Sequence, residues 1–163
     1  MATAGEDKTA RVWRIGEPPV EIASLKHGKR VLCARFSPDG RLLYTACEDR
    51  VARVWDIADG RERTRFEGHS EPVNWLAVSP DGATLATASS DATVRLWDVA
   101  GGRPRATLTG ASQQVWKVAF TPDGSRVIAV SADGGVSLWD AASGESVSVL
   151  RGHEAGVWAL SIA

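Results

Sequence analysis

The stretch from Gly68 to Asp98, GHSEPVNWLAVSPDGATLATASSDATVRLWD, decides the fold. Apolar residues alternate with small or polar ones over Val73 to Val78, Ala83 to Ala88 and Thr93 to Val99. That period of two is the pattern of short, half-buried strands. Pro80-Asp81-Gly82 joins the first two as a tight turn, in which proline fixes φ and glycine accepts a positive φ. Asp91 opens a second turn, Gly101-Gly102 breaks the third strand, and Arg103 to Leu108 reads as a fourth. No helical period interrupts them.

Outward from this stretch the pattern returns every 42 residues. Trp13, Trp55, Trp97 and Trp139 keep that spacing, as do Asp7, Asp49, Asp91 and Asp133. The turns Ser37 to Gly40, Ser79 to Gly82 and Thr121 to Gly124 follow it, and so do Val31, Val73, Val115 and Val157. One small sheet cannot bury both of its faces alone. Neighbouring units must stack, and radial stacking is how a four-stranded repeat of this length hides them.

Composition narrows the function. Lys and Arg total 19 against 20 for Asp and Glu, so no net field draws the 163-residue chain to nucleic acid or to an anionic membrane. No apolar run approaches the roughly 18 residues of a membrane helix, and Met1 to Asp7 lacks the basic start and apolar core of a signal peptide. Cys33 and Cys47 are too few for a secreted disulfide framework and sit in no metal-ligand spacing. They read as free thiols in a reducing compartment, which places the expected location in the cytoplasm. Neither a cofactor nor a metal is expected.

Gly-His at Gly68-His69 and Gly152-His153, Trp-Asp at Trp55-Asp56, Trp97-Asp98 and Trp139-Asp140, and the Pro-Asp-Gly turns between them resemble the WD-repeat β-propeller family over the whole chain. The resemblance implies an all-β propeller of four-stranded antiparallel blades, a single unit over 1–163. Its blades span 31–66, 73–108 and 115–150, with one more shared between 1–25 and 157–162. It also implies a buried tetrad in each blade: His27, Thr45, Asp49 and Trp55; His69, Thr87, Asp91 and Trp97; His153, Thr3, Asp7 and Trp13. In each, the aspartate accepts from the histidine, and the hydroxyl lies between the histidine and the indole N–H. The unit carrying Asp133 and Trp139 has Ala111 and Ala129 where histidine and threonine would stand, and is expected to be the least stable. Arg11, Arg53 and Arg95, two residues before the tryptophan, read as a surface charge pattern.

All three histidines fall on one repeat position, so none is left for a unique catalytic constellation, and no enzyme is expected. The resemblance puts partner binding at the channel rim, where the repeats differ. The rim residues are Glu6, Arg30, Leu32, Glu48, Pro72, Asn74, Trp75, Ser90, Gln114, Trp116, Ala132 and Trp158. Gly156 also falls on a rim position. The tryptophans outside the repeat, Trp75, Trp116 and Trp158, either form a protein-binding hot spot or fill the channel wall. The expected function is a scaffold holding a protein or peptide, and the alternative is a regulatory or assembly segment of a larger multidomain signalling protein. Three arrangements suit the split blade: a four-bladed ring, an excerpt of a longer propeller, or two chains closing an eight-bladed ring. The homodimer is the expectation, because it completes both split blades and leaves no open edge.

Overall fold

The structure, a computed structural model, describes residues 1–162. Ala163, the last residue of the 1–163 unit, lies outside them. β1 (Ala2–Ala4), β2 (Thr9–Arg14) and β3 (Val20–Lys26) form a three-stranded antiparallel sheet. Three four-stranded meanders follow. The second sheet holds β4 (Val31–Phe36), β5 (Leu42–Cys47), β6 (Ala52–Asp56) and β7 (Glu62–Phe66). The third holds β8 (Val73–Val78), β9 (Thr84–Ser89), β10 (Val94–Asp98) and β11 (Pro104–Leu108). The fourth holds β12 (Val115–Phe120), β13 (Arg126–Ser131), β14 (Val136–Asp140) and β15 (Ser146–Leu150).

The hairpin turns follow from their chemistry. At Ser79 to Gly82 the Gly82 amide donates to the Ser79 carbonyl at 2.8 Å, and Asp81 accepts from the Ala83 amide at 3.0 Å. Gly82 has φ of +74°, a conformation that any Cβ would strain. The first strand of each four-stranded sheet then departs from regular pairing: the register slips between Val31 and Cys33, between Val73 and Trp75, and between Val115 and Lys117. Leu32, Asn74 and Trp116 are therefore extra residues in β-bulges, which bend a strand and re-aim its side chain.

The core lies between sheets rather than within one. Ala10, Val12, Leu25, Val31, Leu43 and Trp55 pack the first sheet on the second. Phe66 is fully buried and tilts against Trp97 with ring centroids 5.7 Å apart, joining Tyr44, Val73, Leu76 and Leu85 between the second and third. Leu96, Leu108, Val115, Val118, Val127 and Trp139 repeat the arrangement between the third and fourth. Leu150, the period mate of Phe66 and Leu108, is 55% exposed, because no further sheet covers it among the described residues.

The first sheet lacks the innermost strand that Val157 to Ile162 is expected to supply. That segment forms no strand and does not pair with β1. Its beginning is held where the link from β15 delivers it. The Val157 amide donates to the Ser131 carbonyl at 3.1 Å, as the Val31 amide does to Gly5 at 3.1 Å. A short connection from one sheet's outer strand can reach only the position beside that same sheet, so the two ends stay apart in one chain.

Replacing Phe66 with alanine should cost about 3–5 kcal/mol of unfolding free energy by denaturant titration, because it empties the layer between two sheets. Arg61→Ala, in an exposed loop, should stay within about 0.5 kcal/mol.

Candidate functional site

The relay in the third sheet is complete. Trp97 Nε1 donates to Thr87 Oγ1 at 2.8 Å, His69 Nε2 lies 2.8 Å from the same hydroxyl, and His69 Nδ1 lies 2.7 Å from Asp91 Oδ2. These distances fit one tautomer, in which Thr87 donates to Nε2 and Nδ1–H donates to the carboxylate. Burial lowers the His69 pKa more than Asp91 raises it, so the ring stays neutral. Burial alone would raise the Asp91 carboxyl, but hydrogen bonds from Thr93 and His69 hold it below its usual range. Gly68 makes the approach possible. Its φ is +152°, and a Cβ there would lie 2.9 Å from Arg95 Nη1 and 3.4 Å from the Trp97 ring.

The second sheet keeps only part of this relay. Trp55 Nε1 donates to Thr45 Oγ1 at 2.9 Å and His27 Nε2 lies 2.8 Å from it, but His27 Nδ1 turns to the Leu25 carbonyl at 3.0 Å. The expected Asp49–His27 bond is not made. One residue fewer separates Leu25 from His27 than separates Phe66 from His69, and glycine follows the histidine instead of preceding it. Asp49 is taken instead by Arg53, through Nη2 at 2.7 Å and Nη1 at 3.0 Å. Arg53 is 7% exposed, so the arginines before the tryptophan are not simply a surface pattern. Arg11 holds Asp7 through Nη2 alone at 3.0 Å, its Nη1 going to Glu21. Arg95, whose aspartate already has His69, forms no ion pair among the described residues, where its buried Nε also finds no partner.

The fourth sheet replaces both lost groups. Trp139 Nε1 donates to the Thr109 carbonyl at 3.1 Å, and Asp133 accepts from the Ser112 amide and hydroxyl at 2.8 and 2.7 Å. Its polar groups are matched without histidine or threonine. In the first sheet Trp13 Nε1 reaches Thr3 Oγ1 at 3.0 Å and Asp7 accepts from Thr9 at 2.7 Å. His153 joins neither; it is exposed beside the fourth sheet, where a Cβ on Gly134 would lie 2.7 Å from its carbonyl oxygen.

These turns carry the rim. In the three four-stranded sheets the residue before the aspartate is tied to the entrance of its own sheet: Glu48 N to Arg30 O at 3.0 Å, Ser90 N to Pro72 O at 3.0 Å, and Ala132 N to Gln114 O at 2.9 Å. On this repeating frame the side chains differ by sector. Arg30 bridges Glu48 at 2.7 Å and Glu6 at 3.1 Å, beside the exposed Leu32. Asn74 donates to the Val115 carbonyl at 2.9 Å and meets Ser90, whose hydroxyl also lies 3.3 Å from Gln114. Trp116 and Trp158 stack with centroids 4.6 Å apart, and Trp158 is 65% exposed. Gly156 lies against Ala132. Trp75, next to its bulge, sits apart from these groups between Arg35 and Lys117. The bulge is what sequence reasoning missed, and its only trace is polar Asn74 between apolar Val73 and Trp75.

A family model described as WD domain, G-beta repeat, matches residues 20–56, 60–98 and 102–140, more than half of the chain. Each match runs from the outer strand of one sheet through the third strand of the next, so the sequence unit straddles two sheets. Comparison with curated proteins finds no match.

Two outcomes test the relay. Thr87→Val leaves the Trp97 N–H and His69 Nε2 facing a methyl group and should cost about 1–3 kcal/mol of stability in denaturant titration. The second outcome concerns pH. Burial is also the chief cause of the lowered His27 pKa, so both rings bind protons less readily folded than unfolded. Their contribution is therefore full above the unfolded value of about 6.5 and is lost as pH falls through it towards the lowered folded values. Unfolding free energy should fall between about pH 7.5 and pH 5.5, ahead of any loss from Asp49 and Asp91, and His27→Gln with His69→Gln should flatten the slope. An unchanged slope in that variant would contradict the assignment.

Proposed function

Because the chain belongs to the WD domain, G-beta repeat family, whose repeats generally mediate protein–protein interaction, we propose that it is a non-catalytic scaffold holding a protein or peptide partner at its rim. The observation that carries this reading is the contrast between frame and surface. The backbone contacts at Glu48, Ser90 and Ala132 repeat, while the side chains form a charged sector, an amide–hydroxyl sector and a tryptophan stack. Exposed tryptophan and arginine on a rigid frame are what interface hot spots are made of. The histidines support the same conclusion: Nε2 of His27 and of His69 is occupied by a threonine hydroxyl, so neither is poised as a general base.

The proposal extends to assembly. The free edge of β1 takes Val157 to Ile162 of a second copy, and the partner's first sheet covers the apolar face around Leu150. Leu150 is 55% exposed, and its face matches the one that buries Leu108 between the third and fourth sheets. Two such junctions close one eight-bladed homodimer.

Trp116→Ala should abolish recovery of a partner that the wild-type chain retains in a pull-down, with an unchanged thermal midpoint. Equal recovery would count against the rim. Light scattering should give twice the 17.4 kDa of the chain, and Leu150→Ala should lower the association; a monodisperse monomer would remove the dimer and leave the rim reading standing.

A further inference from the structure

A cleft of about 610 Å³ lies along the inner strands β4, β8 and β12, away from the rim and bounded by the turn residues Pro38, Pro80 and Pro122. Its walls are mostly apolar, with Phe36, Phe120, Leu160 and Ile162 among them. At its middle stands Trp75, with the Arg35 guanidinium and the Lys117 ammonium each 4.8 Å from the indole ring. The two cations are thus no more than twice that distance apart.

Neither cation belongs to the repeat. The period mates of Arg35 are Ala77, Ala119 and Ser161, and those of Lys117 are Cys33, Trp75 and Ala159. Among the described residues neither has an ion-pair partner, whereas Arg11, Arg30, Arg53, Arg63 and Arg126 all do. Among the described residues no carboxylate lines the cleft. The nearest turn aspartates, Asp39, Asp81 and Asp123, are turned towards the hydroxyls of Ser37, Ser79 and Thr121. Two uncompensated cations on one aromatic ring, in an apolar open cleft, complement an anion with an apolar body. The cleft crosses three sheets, which suits an extended segment. A nucleic-acid track would need a longer run of cations than two.

We infer that this cleft is a second binding site, distinct from the rim, and that it takes an acidic peptide segment of a partner protein in which a carboxylate side chain neighbours an apolar one. The carboxylate meets Arg35 and Lys117, and the apolar side chain lies on the phenylalanine and proline wall.

A random heptapeptide library selected on the immobilised chain tests this. The recovered peptides should be enriched in Asp or Glu beside Leu, Ile or Phe. Their Kd should rise about tenfold or more in Arg35→Gln/Lys117→Gln and stay unchanged in Arg61→Gln and Trp116→Ala. The indole N–H resonance of Trp75 should move on titration with a recovered peptide. Circular dichroism establishes that each variant is folded, and single Arg35→Gln or Lys117→Gln serves if the pair is not. Recovery of no peptide, absence of acidic enrichment, or equal affinity for the double variant would overturn the site. So would loss of binding in Trp116→Ala, which places the peptide on the rim, or displacement of the peptide by an oligothymidylate. The Trp116 and Arg35/Lys117 arms fail separately, so the rim and the cleft are judged independently.

Discussion

A carboxylate stands at the turn before the third strand of every unit, and in the second and third sheets it is partly buried where sheet meets sheet. An ionised group there is costly unless donors surround it. The chain satisfies it in four ways: Asp91 with His69 and Thr93, Asp49 with Arg53, Asp133 with Ser112, and Asp7 with Thr9 and Arg11. In the third sheet histidine takes the aspartate and Arg95 is released; in the second Arg53 takes it and His27 turns to a backbone carbonyl. The pinned turn, in turn, sets Glu48, Ser90 and Ala132 against the entrance of the innermost strand.

This hierarchy explains why the chemistry of the repeat and the chemistry of recognition are separate. Most of the histidine, threonine and aspartate side chains that could suggest a catalytic centre are committed to matching one another or their neighbouring turns. What remains for function is carried by the bulges and by positions that do not repeat. Leu32, Asn74 and Trp116 occupy one backbone site with three different chemistries, and Arg35, Trp75 and Lys117 come together from the innermost strands of three successive sheets. A stiff frame with variable side chains can present them at little ordering cost.

The 42-residue spacing made the strands and their order legible, since period-two alternation and Pro-Asp-Gly turns act locally. The partner of each aspartate was less so. At Lys26-His27-Gly28 the transposed histidine was visible, but its effect depends on one residue of chain length between Leu25 and the ring. The joint replacement by Ala111 and Ala129 was also visible; the Thr109 carbonyl that takes over the Trp139 N–H was not, because every residue carries such an acceptor. Bulges leave little trace in the sequence because a slip of one residue hardly disturbs a six-residue alternation. Val157 to Ile162 reads as a strand by pattern, yet a strand needs a neighbour, and the fold leaves β1 on the far side.

The central claim is that histidine holds the turn aspartate in the third sheet and arginine holds it in the second, where histidine does not. Double-mutant cycles measure it directly, with His69→Gln and Asp91→Asn forming one cycle and His27→Gln and Asp49→Asn the other. The account predicts a coupling of about 1 kcal/mol or more between His69 and Asp91, and a coupling near zero between His27 and Asp49. Equal coupling in the two pairs would contradict it.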